Sequence, residues 1–146
     1  MSDFRKVTDG FYASPQIQPD DVANAKALGI TLIVNNRPEG EEPGQPDGAA
    51  IEAAAAEAGI GYLAIPITPG GFGPAEVEAL QAALDGNDGP ILGFCRSGTR
   101  STFLWSLAQA AAGRDPSEIA ALAMGAGYDV TPLGPTIEAL AARARG

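Results

Sequence analysis

The sequence predicts an α/β fold: a single domain of three layers, in which a parallel sheet of about four to five strands is flanked by helices on both faces. Short apolar segments rich in β-branched residues alternate along the chain with longer segments that repeat apolar residues at helical spacing. This alternation is typical of parallel sheets that helices cover. The chain has 146 residues, which is a usual size for one domain, so we expect residues 1–146 to form one unit.

Four segments have the composition of strands. The clearest is the β-branched run that starts at Ile30, which we expect to be a buried strand. The short aromatic stretch around Phe11 follows a turn residue, Gly10, and is expected at the edge of the sheet. The predicted strands are residues 10–13, 30–34, 62–65 and 90–94.

Six segments repeat alanine or larger apolar residues at helical spacing. The first begins near Pro19 with Asp20 and Asp21 beside it, and carboxylates are favoured there by the free amide groups of a first turn. Gly29 is a typical residue to end this helix. The predicted helices are residues 18–28, 47–58, 75–84, 101–112, 115–124 and 135–145.

The overall composition excludes several kinds of partner. The 18 acidic side chains against 9 basic ones give a formal net charge of -9, and an acidic surface repels phosphate backbones, so we expect no nucleic-acid partner. No apolar run reaches the roughly 18 residues that a membrane span needs. The N-terminus also lacks the features of a signal peptide. We therefore expect a cytoplasmic protein that does not enter a membrane.

Two residue counts limit the chemistry further. The chain has no histidine, which excludes catalysis through a histidine base and every histidine-ligated metal site. It has one cysteine, which excludes an internal disulfide and any cluster held by several cysteines. We therefore predict neither a metal nor a cofactor, and a reaction carried by arginines, hydroxyls, backbone amides, carboxylates or the one thiol.

Three loops follow predicted strands, at residues 35–46, 67–74 and 95–100. Ligands of open α/β sheets collect at the carboxyl ends of the strands, where such loops lie. The first loop contains Glu39, Glu41 and Glu42 among glycines and prolines, and we expect these carboxylates to be solvated.

The third loop carries the strongest chemical signal. An apolar strand delivers Cys95 into a short loop of small residues, and a helix is predicted directly after Arg100. If this loop curls, its backbone N–H groups face inward as a nest for an anion, and those of the helix start add to it. Gly98 permits a backbone conformation that other residues resist. This field favours the thiolate, so we predict Cys95 as the nucleophile and Arg100 as its catalytic partner.

Polar residues around this loop are predicted to bind the anionic substrate. Ser101 suits either a hydrogen bond to the sulfur or a helix cap. Arg37, at the end of the second predicted strand, suits either contact with the substrate or a salt bridge with Glu39 or Glu41. The predicted anion-binding residues are Arg96, Ser97, Gly98, Thr99, Ser101 and Arg37.

Two families resemble this sequence. The segment from Cys95 to Ser101 resembles the active-site loop of rhodanese-type sulfurtransferases, in which four residues separate the cysteine from the closing arginine. The chain from Phe11 to Ser101, about two-thirds of the sequence, resembles the phosphatase-like domains of beta-lactamase hydrolase-like proteins, which are related to dual-specificity phosphatases. The residues that match this second family are Gln16, Asp20, Asn36, Arg37, Pro38, Ile65 and Pro66.

The second resemblance implies a cysteine-phosphatase-like fold. In related proteins such domains occur beside persulfide dioxygenase-like modules. The resemblance therefore also implies a role in sulfur metabolism, with a persulfide dioxygenase-like enzyme as a partner.

Departures from the phosphatase pattern favour sulfur chemistry. Phosphatases of this class carry histidine before the cysteine and five residues between the cysteine and the arginine, whereas here Phe94 precedes Cys95 and four residues separate it from Arg100. They also carry an acidic residue in the loop that matches 67–74, and this loop has none. We therefore expect a rhodanese-like sulfurtransferase, in which Cys95 takes sulfur from thiosulfate or a persulfide and becomes a persulfide itself.

Two alternatives remain open. The first is a phosphatase that hydrolyses phosphomonoesters through a phosphocysteine at Cys95. The second is a non-catalytic module that binds anions or senses redox state through reversible oxidation of Cys95. Both enzymatic hypotheses require loop amides that face inward and a thiol that a small anionic substrate can reach.

Overall fold

The structure is a computed structural model that describes residues 2–146, and in this range a five-stranded sheet lies between two layers of helices. The strands are β1 (Arg5–Thr8), β2 (Phe11–Ser14), β3 (Leu32–Asn35), β4 (Gly61–Ala64) and β5 (Ile91–Phe94). The helices are α1 (Val22–Ala27), α2 (Gly48–Ala58), α3 (Pro74–Gly86), α4 (Thr99–Ala111), α5 (Pro116–Gly125) and α6 (Gly134–Arg145). Short 3-10 turns precede α1 at Pro19–Asp21 and α6 at Thr131–Leu133.

The strands are arranged in the order β1-β2-β5-β3-β4. The strands β2, β5, β3 and β4 are parallel, which confirms the predicted sheet, and β1 runs antiparallel to β2. The segment predicted as an edge strand is therefore the second strand, because β1 covers it by pairing Arg5 with Ala13. Only Val7 of β1 is buried, so this strand has no apolar pattern in the sequence.

Helices cover both faces of the sheet, as predicted. Successive side chains of a strand point to opposite faces, so Ile33 packs with α1 and α2 whereas Val34 packs with the helices of the other layer. Trp105 of α4 is 1% exposed and stacks on Phe11 with ring centroids 6.0 Å apart, so it belongs to the core. None of the helices in the described part of the chain is long and apolar enough to span a membrane.

Backbone hydrogen bonds join the segments that leave the parallel strands. The Asn36 N–H donates to the Phe94 carbonyl at 2.8 Å, and the Ile67 N–H donates to the Asn36 carbonyl at 2.9 Å. On the other side, the Gln16 N–H donates to the carbonyl of Arg96 at 3.2 Å. The loops after β2, β3, β4 and β5 therefore meet at one edge of the sheet.

Candidate active site

Cys95 leaves the carboxyl end of the central strand β5. Its N–H donates to the Ser14 carbonyl at 3.4 Å, and its sulfur accepts the N–H of Gly98 at 3.1 Å. A backbone donor therefore points at the sulfur, as the anion nest requires. The Cys95 side chain is 0% exposed, so the expectation that a substrate reaches the thiol directly is wrong for this conformation.

Gly98 lies where the loop turns back on the sulfur. Its φ of +93° falls in the left-handed region that glycine tolerates, and a Cβ built there would lie 2.0 Å from the hydroxyl oxygen of Tyr128. That hydroxyl donates to the Ser97 carbonyl at 3.0 Å, and the Tyr128 side chain is buried. Burial raises the pKa of Tyr128, so its proton remains available for this bond. Tyr128 therefore fixes the thiol loop, residues 95–100, through its hydrogen bond to Ser97. No local sequence pattern indicated this role.

The first turn of α4 keeps free donors beside the thiol. The Thr99 N–H donates to Ser97 Oγ at 3.4 Å, whereas in residues 2–146 no acceptor is hydrogen-bonded to the N–H of Arg100 or Ser101. Free amides at a helix start favour an anion. The loop therefore retains backbone donors for a bound oxyanion.

Ser101 has neither of the two roles predicted for it. Because α4 already begins at Thr99 with Gly98 as its N-cap, Ser101 lies inside the first turn and does not cap the helix. Its hydroxyl donates to Asn36 Oδ1 at 2.8 Å, and the Asn36 amide donates in turn to the Ile65 carbonyl at 2.9 Å. Ser101 and Asn36 are both buried, so this chain of bonds fixes the start of α4 against β3 and the segment after β4.

Arg100 lies beside the thiol and is held by a carboxylate. Its two terminal nitrogens contact the two Glu41 oxygens at 2.7 and 2.9 Å, and Nη1 also donates to the Ile67 carbonyl at 3.1 Å. The pKa of Arg100 is raised, first by the hydrogen bonds with Glu41, and the neighbouring Cys95 sulfur also raises it against the effect of burial. The arginine is therefore a permanent cation next to Cys95.

Arg37 joins the same cluster from the end of β3. It is 5% exposed, and its Nε contacts Glu41 at 2.9 Å while Nη2 contacts Glu42 at 2.8 Å. The salt bridge that the sequence allowed with Glu41 is present. Arg96, by contrast, has a 68% exposed side chain at the rim and pairs with Glu42 at 2.8 Å.

Glu39, Glu41 and Glu42 in the loop after β3 are exposed, as predicted, but each of them also has a hydrogen-bond or ion-pair partner. The hydrogen bonds from Arg100, together with those from Arg37, lower the pKa of Glu41 from 4.5 to about 2 although partial burial opposes this shift. Glu42 bridges two arginines, and Glu39 accepts the N–H of Gly48 at 2.9 Å. Arg37, Arg96 and Arg100 thus pair with two of the three glutamates, Glu41 and Glu42. The equal number of glutamates and arginines near this edge is the signal that could have indicated the pairing.

The loop between β4 and α3 has a different character. Residues 67–73 contain no charged side chain. Phe72 packs against Phe103 of α4 with ring centroids 6.1 Å apart, and it is partly buried. This loop therefore brings no carboxylate that could act as a general acid.

The sheet is parallel in its strands β2, β5, β3 and β4 and lies between two helical layers. A cysteine follows the central strand, and an arginine lies at the start of the next helix. This arrangement is that of a cysteine-phosphatase-like protein. Residues 3–112 match the family model described as the phosphatase-like domain of beta-lactamase hydrolase-like protein. The chain belongs to this family, which confirms the second of the two resemblances found in the sequence. Tyr128 lies outside the matched residues.

Two comparisons with known proteins support this assignment. The beta-lactamase hydrolase-like protein of Xylella fastidiosa is 36% identical over 118 residues, which are 80% of this chain and 27% of that protein. The chain thus spans about a quarter of the length of the curated relatives it matches. The crystal structure of a "putative phosphatase" from Neisseria meningitidis has a TM-score of 0.83 and 32% identity, covering 94% of this chain and 98% of that one.

A more distant structure shares the fold. TpbA of P. aeruginosa in complex with phosphotyrosine has a TM-score of 0.67 and 16% identity, covering 99% of this chain and 91% of that one. The chain therefore shares the fold of TpbA. These descriptions favour the phosphatase alternative over the sulfurtransferase that the loop spacing suggested.

Proposed function

We propose that residues 1–146 form a single cysteine-dependent phosphatase domain that hydrolyses phosphomonoesters. One observation carries this proposal: the Gly98 N–H lies 3.1 Å from the Cys95 sulfur in a loop that Arg100 closes. A thiolate, inward-facing amides and a fixed guanidinium are the parts that phosphoryl transfer to a cysteine requires. The family and fold of the chain support the same assignment.

The first step transfers the phosphoryl group to sulfur. The Cys95 thiolate attacks phosphorus, an S–P bond forms, and the bond from phosphorus to the ester oxygen breaks. The free N–H groups of Arg100 and Ser101, together with the Arg100 guanidinium, stabilise the phosphoryl oxygens. Arg37 and Arg96 lie in the same charged cluster, where each is paired with a glutamate of the loop after β3.

The second step returns the enzyme to its starting state. Water attacks the phosphocysteine, the S–P bond breaks, and inorganic phosphate and the Cys95 thiolate result. Because residues 67–73 contain no carboxylate, the departing alkoxide takes its proton from water. We therefore expect aryl phosphates, whose leaving groups are stable anions, to be better substrates than alkyl phosphates.

Sulfur transfer is the second candidate, and the spacing of the loop favours it. Four residues lie between Cys95 and Arg100, and Phe94 stands before the cysteine. In this reaction the thiolate attacks the outer sulfur of thiosulfate, the S–S bond breaks and sulfite leaves. An acceptor such as cyanide then removes the sulfur as thiocyanate and restores the thiolate. Because sulfite is a stable anion, this route also needs no acid.

Paired assays on one preparation separate these candidates. We expect release of phosphate from 4-nitrophenyl phosphate, no thiocyanate from thiosulfate and cyanide, and loss of phosphate release in Cys95→Ser. Ser117→Ala, a change on the exposed side of α5, is the control for the variant preparation. Mass analysis of the quenched enzyme would show which group, a phosphoryl group or a sulfur atom, is attached to Cys95.

Two results would contradict the phosphatase proposal. Thiocyanate formation that depends on Cys95, without release of phosphate, would establish sulfur transfer instead. Inactivity in both assays, together with reversible oxidation of Cys95, would support the non-catalytic module instead.

A further inference from the structure

The guanidinium proposed to bind the substrate is already occupied by a side chain of this protein. Both terminal nitrogens of Arg100 contact the Glu41 carboxylate, at 2.7 and 2.9 Å. Arginine binds carboxylates and phosphates in this bidentate geometry. Glu41 therefore makes with Arg100 the contacts that a bound oxyanion would make.

A second arginine holds the same carboxylate. Arg37, itself 5% exposed, contacts Glu41 Oε1 at 2.9 Å, the oxygen that Nη2 of Arg100 also contacts. The Glu41 side chain is only 27% exposed. The Cys95 thiol beside this cluster is fully buried. The positive charges of Arg100 and Arg37 are therefore neutralised by a carboxylate of the same chain.

We propose that Glu41 is a specificity-determining residue that competes with the substrate for Arg100. This inference rests on the proposed function, since it assumes that Arg100 receives the substrate anion. The substrate displaces Glu41 and so gains access to the sulfur.

The competition selects the substrate by charge. Glu41 is attached to the site and so has a high effective concentration there. A substrate with one negative charge gains no more binding free energy from contact with Arg100 than the Glu41 carboxylate already does. A phosphomonoester dianion carries more charge and a third oxygen for the free amides of Arg100 and Ser101. The site should therefore favour dianions over monoanions.

The opposite role for Glu41 would be to position Arg100 for catalysis, and Glu41→Gln distinguishes the two roles. If Glu41 competes with the substrate, removal of its carboxylate strengthens anion binding. If Glu41 positions Arg100, removal of its carboxylate weakens anion binding. Glu42→Gln is the matched control, because Glu42 comes from the same loop and contacts Arg37 at 2.8 Å but makes no contact with Arg100 among the described residues.

Two binding measurements test the inference without turnover. Calorimetry with inorganic phosphate should give a dissociation constant about tenfold lower in Glu41→Gln than in the parent protein, as expected for one lost charge-assisted contact. Alkylation of Cys95 should become faster with iodoacetate, an anion, relative to neutral iodoacetamide. Glu42→Gln should change both quantities much less. Glu41→Asp, which keeps the charge on a shorter side chain, should give an intermediate result and serves if Glu41→Gln fails to fold.

Unchanged or weaker phosphate binding in Glu41→Gln would overturn the inference, and so would equal effects of the two glutamine variants. Its failure is distinct from that of the proposed function. Tighter phosphate binding in a protein that never releases phosphate from 4-nitrophenyl phosphate would disprove only the phosphatase activity. Active enzyme with unchanged phosphate binding in Glu41→Gln would disprove only the competition.

Discussion

The loops after β3 and β4 both reach the thiol loop, but they contribute different physical groups. The loop after β3 contributes charge: Glu41 contacts Arg100, and Glu42 contacts Arg96. The loop after β4 contributes neutral groups: the Ile67 carbonyl accepts from Arg100, and Phe72 packs on Phe103. The loop after β3 thus contributes charged side chains around Arg100, and the loop after β4 contributes a backbone acceptor and an apolar side chain.

This difference determines where catalytic groups can come from. A general acid must be protonated before the reaction, and Glu41, with a pKa of about 2, is an anion at neutral pH. The neutral loop at residues 67–73 holds no carboxylate in its place. Under the proposed function, neither loop supplies a general acid, and the reaction would depend on Cys95, Arg100 and the amides of the loop after β5.

The largest expected effect comes from the arginine that both loops contact. Arg100→Ala removes a cation that faces the developing charge on the substrate, and removal of one such donor costs about 100-fold or more in kcat. Measurement of kcat with 4-nitrophenyl phosphate tests this expectation. Arg96→Ala is the control, because its side chain is 68% exposed at the rim and an exposed charge is well screened. Equal losses in both variants would mean that the two arginines act only through overall charge.

The sequence predicted the parts of the site that lie within one segment. Cys95, Gly98 and Arg100 could be found because a strand, a short loop and a helix follow each other directly, and this local order fixes their geometry. The strands β2 to β5 and all six helices could be found in the same way, from composition and spacing. The strand β1 could not, because one buried valine gives no alternation.

The parts that the sequence did not predict join distant segments. Glu41 and Arg100 are separated by 59 residues, and Tyr128 lies 31 residues after Ser97. Such pairs depend on how the loops meet at the edge of the sheet, which no local pattern encodes. The carboxylates of the loop after β3 stay exposed, and two of them pair with Arg37 of the same loop and with Arg96 and Arg100 of the loop after β5.

Two glycines with nearly the same φ, one in each loop, sharpen the comparison. Gly98 in the thiol loop has φ +93°, and Gly71 in the neutral loop has φ +96°. Alanine at either position costs about 1–2 kcal/mol of strain. At Gly98 the new Cβ would also lie 2.0 Å from the Tyr128 hydroxyl oxygen, whereas at Gly71 it meets nothing within 4 Å.

We therefore expect Gly98→Ala to lower the free energy of unfolding by roughly 3 kcal/mol and Gly71→Ala by about half of that, since only the first also displaces the Tyr128 hydrogen bond. Urea denaturation measures both. Similar losses of unfolding free energy in the two variants would show that Tyr128 moves aside without cost. Tyr128 would then not stabilise the thiol loop.

The smallest expected effect concerns the pH dependence of the charged loop. The pKa of Glu41 is lowered from 4.5 to about 2, chiefly by the hydrogen bonds from Arg100 and with a contribution from Arg37. A carboxylate with a lowered pKa stabilises the folded state above its unfolded pKa, and this stabilisation is lost as the pH falls through the folded value. The parent protein should therefore be more stable than Glu41→Gln at pH 7, and the difference should shrink between pH 4.5 and pH 2.

Thermal denaturation of both proteins across this range measures the difference in stability, and Glu57→Gln on the exposed side of α2 controls for the loss of one charge. A difference that stays constant down to pH 2 would mean that the Glu41 carboxylate is not held by the two arginines in solution. The competition for Arg100 would then have no basis.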